Sequence, residues 1–152
     1  MLIGMVGRFG ARESDFPIWA RMLNALHSGT DEAEFLRELH ALVALDDPYV
    51  GFLAFDAEER AVGMVDARVR NYAEGSPTHR AGYVEDLWVA PHAREKGVAR
   101  ALLAAVEQWA LAQGLGWLGS DTTLENLSSH RWHAAVGFEQ VGRLAVFGKR
   151  LG

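Results

Sequence analysis

Apolar residues change their rhythm along this chain. Up to about residue 45 they recur every three or four positions; from 49 to 89 they alternate or cluster; from 98 the wider spacing returns. The wider spacing puts side chains on one helix face, and alternation puts them on one face of a strand. "SDFPIWARMLNALH" therefore predicts a helix capped by Ser14 or Asp15, with Pro17 in its first turn, Ile18, Met22 and Leu26 on one face, and Gly29 at its end. "DEAEFLRELHALVAL" predicts a second helix, with acids in its first turn and Phe35, Leu39 and Leu42 in one stripe. "YVGFLAF" and "AVGMVDARVR" predict a hairpin closed by "DAEER", and "AGYVEDLWVA", after the loop "NYAEGSPTH", predicts a third long strand. A helix from about Val98 to Gln113 stops at Gly114. "LGWLGSD" predicts a short buried strand. "TTLENLSSHRWHAAVG" predicts a last helix with Thr122 and Glu125 spaced as a capping box, and "FEQVGRLAVFGKRL" one or two closing strands. The order ααβββαβαβ predicts a mixed α/β sheet covered by helices.

Composition narrows the class. A length of 152 residues suits one compact domain, 1–152. No apolar run is long enough to span a bilayer, and the first residues, broken by Arg8 and glycines, do not read as a signal peptide. The chain has no cysteine, which excludes disulfides, thiolate metal sites and a cysteine nucleophile and makes the cytoplasm the expected address. A net charge of −5 argues against a nucleic-acid partner and suits a cationic substrate.

The stretch "REKGVA", Arg94 to Ala99, joins the end of the third strand to the start of the long helix. Unsatisfied N–H groups and the positive end of the helix dipole converge at such a junction. Gly97 lets a ligand approach the backbone, and Arg94, Lys96 and Arg100 add positive charge. The turn suits a phosphate or pyrophosphate; a solvated basic turn is the alternative. It is not a Walker loop, because the Gly-Lys-Ser/Thr ending is absent.

"VAPHAREKGVARALL" resembles the acyl-CoA pyrophosphate loop of the GNAT superfamily of N-acetyltransferases. Arg94, Gly97 and Ala99 match that loop in register, and Asn126 and "AVGF" (Ala135 to Phe138) match a second signature. The fold this implies is a mixed, mostly antiparallel sheet of about six to seven strands flanked by about four helices, in the order βααβββαβαβ(β). "YVEDLWV", "GSDTTLEN", "HAAVGF" and "VRNYAEG" are similar to segments of the aminoglycoside 6′-N-acetyltransferases within that superfamily. That similarity implies acetyl transfer from acetyl-CoA to a primary amine of a cationic sugar, and a homodimer. It implies a donor site made by the backbone of Leu87 and Val89, by Arg94, Glu95, Lys96, Gly97, Val98, Ala99 and Arg100, and by Asn126 and His133. His133 stands where many superfamily members carry a Tyr that protonates the leaving thiolate, and His27 where some of the aminoglycoside enzymes carry a Trp.

Residue chemistry gives a compatible picture. Strand alternation puts Tyr83, Glu85, Leu87 and Val89 on one face and Trp88 on the other. Asp121 ends the neighbouring short strand, so Glu85 and Asp121 can together hold an ammonium; the alternative is a pair of strand-end acids, or Asp121 as a helix cap. An alkyl ammonium, with a pKa near ~10, must lose a proton before it attacks a thioester. An ordinary carboxylate is a weak base for that step, which favours a water-relayed proton path. Tyr72 and His27 are the further acceptor-side candidates, and Tyr72 offers a stacking platform. His130 and His133 lie one helical turn apart, but no third ligand accompanies them, so no metal is expected. Rival readings are a GNAT enzyme acting on a polyamine, another small amine or a peptide N-terminus, and a non-catalytic acyl-CoA sensor.

Overall fold

The computed structural model describes residues 13–28, 31–44 and 48–152. The chain divides into two compact units, Met1–Ser120 and Asp121–Gly152. In the first, a 3-10 turn (Glu13–Asp15) leads into α1 (Phe16–Leu26) and α2 (Glu32–Val43). Then come β1 (Tyr49–Phe55), β2 (Ala61–Arg70), β3 (Ala81–Val89), α3 (Val98–Ala112) and β4 (Leu118–Gly119). The sheet order is β1-β2-β3-β4. The first three strands are antiparallel, and β4 runs parallel to β3 through Gly82↔Leu118 and Tyr83↔Gly119.

Helices cover both sheet faces. On α1 the buried residues are Phe16, Trp19, Ala20, Met22 and Leu23; of the predicted face Met22 is buried, Ile18 is partly buried against the core, and Leu26 is exposed. Asp15 is the N-cap residue, but its side chain makes no capping hydrogen bond; the helix gives way at His27, and Gly29 lies outside the described residues. Asp31 caps α2 by accepting the Ala33 N–H at 3.2 Å. Phe35 and Leu39 then pack with α1, with Met64 of β2 and against Trp88 of β3. The contact is close enough that a Cβ at Gly51 would sit 1.2 Å from the Trp19 ring. On the opposite face, a Cβ at Gly63 would meet Val98 and Leu102 of α3 at 3.1 and 3.2 Å.

Register between β2 and β3 departs from simple alternation. Asp66 pairs with Asp86 but Ala67 pairs with Val84, which leaves Glu85 surplus in β3. A bulge of this kind turns two consecutive side chains toward one face. Before it, Tyr83 pairs with Arg68; after it, Trp88 pairs with Met64, and both pairs belong to the α1–α2 face. Glu85 and Asp86 join them there. Leu87 pairs with Val65 and Val89 with Gly63, on the α3 face. The predicted grouping of Glu85 with Leu87 and Val89, opposite Trp88, is therefore wrong, because the period of two is interrupted by one residue.

In the second unit α4 spans Leu127–Ala135, and Gly137 follows it with φ 98°. Its cap is Asn126, whose side chain accepts the Ser129 N–H at 3.1 Å. The helix thus begins later than predicted, and Thr122 and Glu125 do not form the capping box. Residues 138–152 carry no strand. The sheet has four strands among the described residues rather than six to seven, and the element order stops after α4. A strand needs a ladder partner, and among the described residues the tail pairs with none; Val146 is 92% and Phe147 91% exposed. The short strand before α4 is half-buried rather than buried, and the strand expected ahead of α1 lies outside the described residues.

Candidate active site

β3 ends at Val89, a 3-10 turn at Pro91–Ala93 follows, and α3 starts at Val98. Glu95 and Gly97 both take left-handed backbone angles, φ 60° and 82°. Two such residues close together curl the chain into a concave turn ahead of the helix, an arrangement that aims backbone N–H groups at an anion. Arg94 secures the turn from inside, its Nε donating to the Val89 carbonyl at 3.0 Å. Residues 94–97 are exposed, and the space where a Cβ at Gly97 would sit is open. The predicted anion site is thus a formed, accessible turn.

The α1–α2 face of β2 and β3 carries the acids. Arg70 grips Glu85 with both ends of its guanidinium, Nε to Oε1 at 2.9 Å and Nη2 to Oε2 at 2.6 Å, while stacking 3.6 Å above the Tyr83 ring. Asp86, next in sequence, meets His27 Nε2 at 2.5 Å. Beneath it lies Asp66, buried in the middle strand. One oxygen accepts the Asp86 backbone N–H at 2.8 Å and the other the Tyr49 hydroxyl at 2.7 Å. Burial, reinforced by the neighbouring Asp86 charge, pushes the Asp66 carboxyl up to about 7. Burial and Asp66 likewise raise the Tyr49 hydroxyl, which stays protonated and donating. Above these residues a cleft of about 450 Å³ opens, floored by Leu23, Phe35 and Leu39 and bordered by His27, Glu34, Glu38 and Asp86.

The structure thus gathers Glu85 and His27 on one face and adds Asp66, Asp86, Arg70, Glu34 and Glu38, which the sequence reading missed. The signal available for Asp66 was one acid inside the apolar run "GMVDARV". Tyr72 lies in the exposed β2–β3 loop, 66% accessible. Asp121 and His133 belong to the second unit. Asp121 is exposed and does not cap α4, since Asn126 does. His133 Nδ1 donates to the Ser129 carbonyl at 2.8 Å, so a neutral ring keeps its lone pair on Nε2. Its ring packs edge-on against Phe138 with centroids 5.2 Å apart. His130 braces the turn before α4 through a bond from Nε2 to the Thr123 carbonyl at 3.1 Å.

A three-stranded antiparallel sheet extended by a parallel strand, with a concave, exposed basic turn between β3 and α3, is the framework of an acyl-CoA-dependent transferase. The chain belongs to the acetyltransferase (GNAT) family, which it matches over residues 16–138. It is 32% identical over 142 residues to an aminoglycoside N(6′)-acetyltransferase type 1 of Acinetobacter haemolyticus, covering 93% of this chain and 96% of the relative. A protein of the same name from Stenotrophomonas maltophilia is 35% identical over 138 residues, covering 90% and 88%. Among solved structures it resembles AAC(6′)-Iy in complex with a bisubstrate analogue, CoA-S-monomethyl-acetylneamine, with TM-score 0.88, 30% identity and 97% and 99% of the two chains covered. It also resembles AAC(6′)-Ih from Acinetobacter baumannii, with TM-score 0.87, 29% identity and coverage of 98% and 100%. The protein is an acetyl-CoA-dependent N-acetyltransferase, and acetyl-CoA is its acetyl donor.

Two outcomes follow from this geometry. Gly97→Glu puts bulk and negative charge into the open mouth of the turn at a left-handed position, so acetyl-CoA affinity measured by calorimetry should collapse while circular dichroism stays native. Unchanged affinity would show that the anion sits elsewhere. Asp66 titrates near 7 when folded against an ordinary 3.8, so the folded state binds its proton more tightly. The stabilising contribution is full below about pH 4 and is lost as pH rises through about 7. Thermal unfolding should therefore lose stability across that window relative to Asp66→Asn, and parallel pH slopes for the two proteins would refute the assignment.

Proposed function

We propose that this enzyme transfers acetyl from acetyl-CoA to the 6′-amine of aminoglycosides. The observation that carries the reading is the acidic α1–α2 face, where Asp86, Glu34 and Glu38 border one cleft and Glu85 precedes Asp86 in β3. A polycationic sugar suits such a surface, and the names of the relatives point the same way. The two units act as one acetyltransferase domain, a reading supported by a family match that crosses their boundary.

The donor's pyrophosphate lies on the turn from Arg94 through Glu95, Lys96, Gly97, Val98 and Ala99 to Arg100, held by backbone N–H groups and the basic side chains. Its pantetheine runs along the backbone of Leu87 and Val89, and the Val89 N–H polarises the thioester carbonyl. Asn126 adds a contact from the start of α4. Glu85 and Asp121 hold the acceptor ammonium, with His27 and Tyr72 beside the sugar. Glu85 is already bonded twice by Arg70, so its role is to bind charge, and the proton leaves through water. The neutral amine nitrogen attacks the thioester carbon. The tetrahedral intermediate expels CoA thiolate, which takes a proton from His133. Because Nδ1 of His133 is committed to Ser129, that proton must come from Nε2 of an imidazolium. Without cysteine, no acetyl-cysteine intermediate can form. The setting is cytoplasmic, where acetyl-CoA is made, and no described helix is long and apolar enough to cross a membrane.

A homodimer accompanies this reading. Exposed Leu144, Val146, Phe147 and Leu151 form an apolar tail that pairing with a second subunit would cover. Light scattering at micromolar concentration should give twice the chain mass; monomer alone would remove the dimer and leave the enzyme.

Thiol release from acetyl-CoA, measured across aminoglycosides, polyamines and peptides, should be fastest with acceptors bearing a free 6′-amine. Removing one carboxylate that bonds an ammonium costs about 1.5–3 kcal/mol, or about tenfold to hundredfold in kcat/KM. Glu85→Gln and Asp121→Asn should each show that loss with kanamycin-like acceptors while acetyl-CoA affinity holds. Full efficiency in both variants would mean the amine is held by other groups. Turnover of peptides or polyamines alone would move the acceptor class.

A further inference from the structure

A buried acid in the middle strand of a sheet is costly unless its oxygens are bonded. Asp66 is 3% exposed and flanked along β2 by Met64, Val65 and Ala67, all fully buried. An apolar side chain at that position would pack without the desolvation cost. What the carboxylate does there is visible in its partners. The surplus residue in β3 interrupts the ladder beside Asp66, and the Asp86 N–H turns to the Asp66 side chain at 2.8 Å. A buried N–H without a partner destabilises a strand by roughly 1–3 kcal/mol, so this bond supports the bulge. Tyr49, reaching over from β1, bonds the second oxygen at 2.7 Å and fixes the carboxylate's rotation. The Asp86 N–H also belongs to the peptide plane that begins at Glu85. Whatever holds that N–H sets the direction of the Glu85 peptide, and with it where the two adjacent carboxylates project.

We infer that Asp66 is a positioning residue for acetyl transfer: by bonding the Asp86 N–H from β2 it holds the β3 bulge that sets Glu85 and Asp86 side by side on the acceptor face. Asp66 lies at the lining of the cleft but is only 3% exposed, and each of its oxygens already accepts a bond from within the sheet, so its part is to hold the strand. Tyr49 completes the support from β1. Arg70 steadies Glu85, and His27 steadies Asp86, from outside it. The inference rests on the reading of Glu85 as a holder of the acceptor ammonium, and the experiment separates the two.

Asp66→Ala removes the acceptor oxygen. It should lower kcat/KM for the aminoglycoside by about tenfold to hundredfold, the scale on which a misplacement of about 1 Å acts, and leave acetyl-CoA affinity within about twofold. Asp66→Asn still offers an oxygen to the Asp86 N–H and an NH₂ to Tyr49, and should recover acceptor efficiency to within a few-fold. Amide hydrogen exchange gives a readout independent of catalysis. The Asp86 amide should be protected in the unmodified protein and in Asp66→Asn, and should exchange fast in Asp66→Ala. In a Glu85→Gln background, Asp66→Ala should cost less than it does alone, since part of its effect runs through Glu85 and only the part through Asp86 remains.

If Glu85→Gln alone is harmless, the reading of Glu85 falls, and the Asp86 amide still decides whether Asp66 holds the bulge. If Glu85→Gln is damaging but a folded Asp66→Ala keeps full acceptor efficiency, the positioning role is overturned by itself. Equal loss of acceptor and acetyl-CoA binding in Asp66→Ala, or an Asp66→Asn as poor as the alanine, also overturns it. Should Asp66→Ala fail to fold, Asp66→Asn decides: protected exchange with near-full activity supports the role, and free exchange or lost acceptor efficiency ends it.

Discussion

A backbone N–H inside a sheet has to find an acceptor on the neighbouring strand, and beside Asp66 the surplus residue in β3 breaks the ladder that would supply one. The side chain of Asp66 takes its place. Most of the acidic α1–α2 face depends on that substitution. With a regular ladder, Glu85 and Asp86 would point to opposite faces, and one of the two would be turned into the apolar layer beneath α3. With the bulge, both acids reach the face covered by α1 and α2, Trp88 still packs against α1, and Leu87 and Val89 turn toward α3. One extra residue thus lets a single strand carry charge on one side and remain apolar on the other.

The same strand also feeds the donor side. A few residues beyond the bulge, β3 ends at Val89, whose carbonyl is bonded by Arg94 across the turn. The turn reaches α3 through two left-handed residues, and only the second is glycine. Glu95 therefore holds a conformation that side chains seldom adopt, in the segment where the anion is expected. The turn proposed for the donor is basic and the face proposed for the acceptor is acidic, and β3 connects them over a few residues. Under the proposed function, such a division of charge would keep a polyanionic donor and a polycationic acceptor on their own surfaces while their reacting ends meet.

Elements governed by local chemistry were legible in the sequence. The hairpin, β3, the long helix, its stop at Gly114 and the basic turn all follow from spacing and glycine placement, and the structure has them within a residue or two. Features made by distant partners were not legible. Alternation rules assume no insertion, so the bulge reversed the expected faces of Leu87, Val89 and Trp88. Arg70 lies fifteen residues from Glu85 and Asp66 twenty from Asp86, and nothing in either local pattern announces the pairing. At α4 the expected caps were Thr122 and Asp121, and Asn126 takes the position instead; all three residue types cap helices well, so propensity alone does not choose among them. The tail has the alternation of a strand, but alternation describes a surface that could be paired, not the partner that pairs it.

The pairing of Glu85 with Arg70 bears on which amines this face can select. An incoming ammonium does not meet a bare carboxylate; it meets one whose oxygens are already bonded by a guanidinium at 2.6 and 2.9 Å. A single weakly held amine has to share that carboxylate with a fixed cation nearby, which lowers its gain on binding. A molecule with several ammoniums is affected less. If one amine is held by Glu85, as proposed, others could reach Asp86, Glu34 and Glu38 at the neighbouring cleft, each further contact being made at high effective concentration once the first has formed. On the proposed reading of Glu85, Arg70 would therefore favour a polycationic sugar over a monoamine.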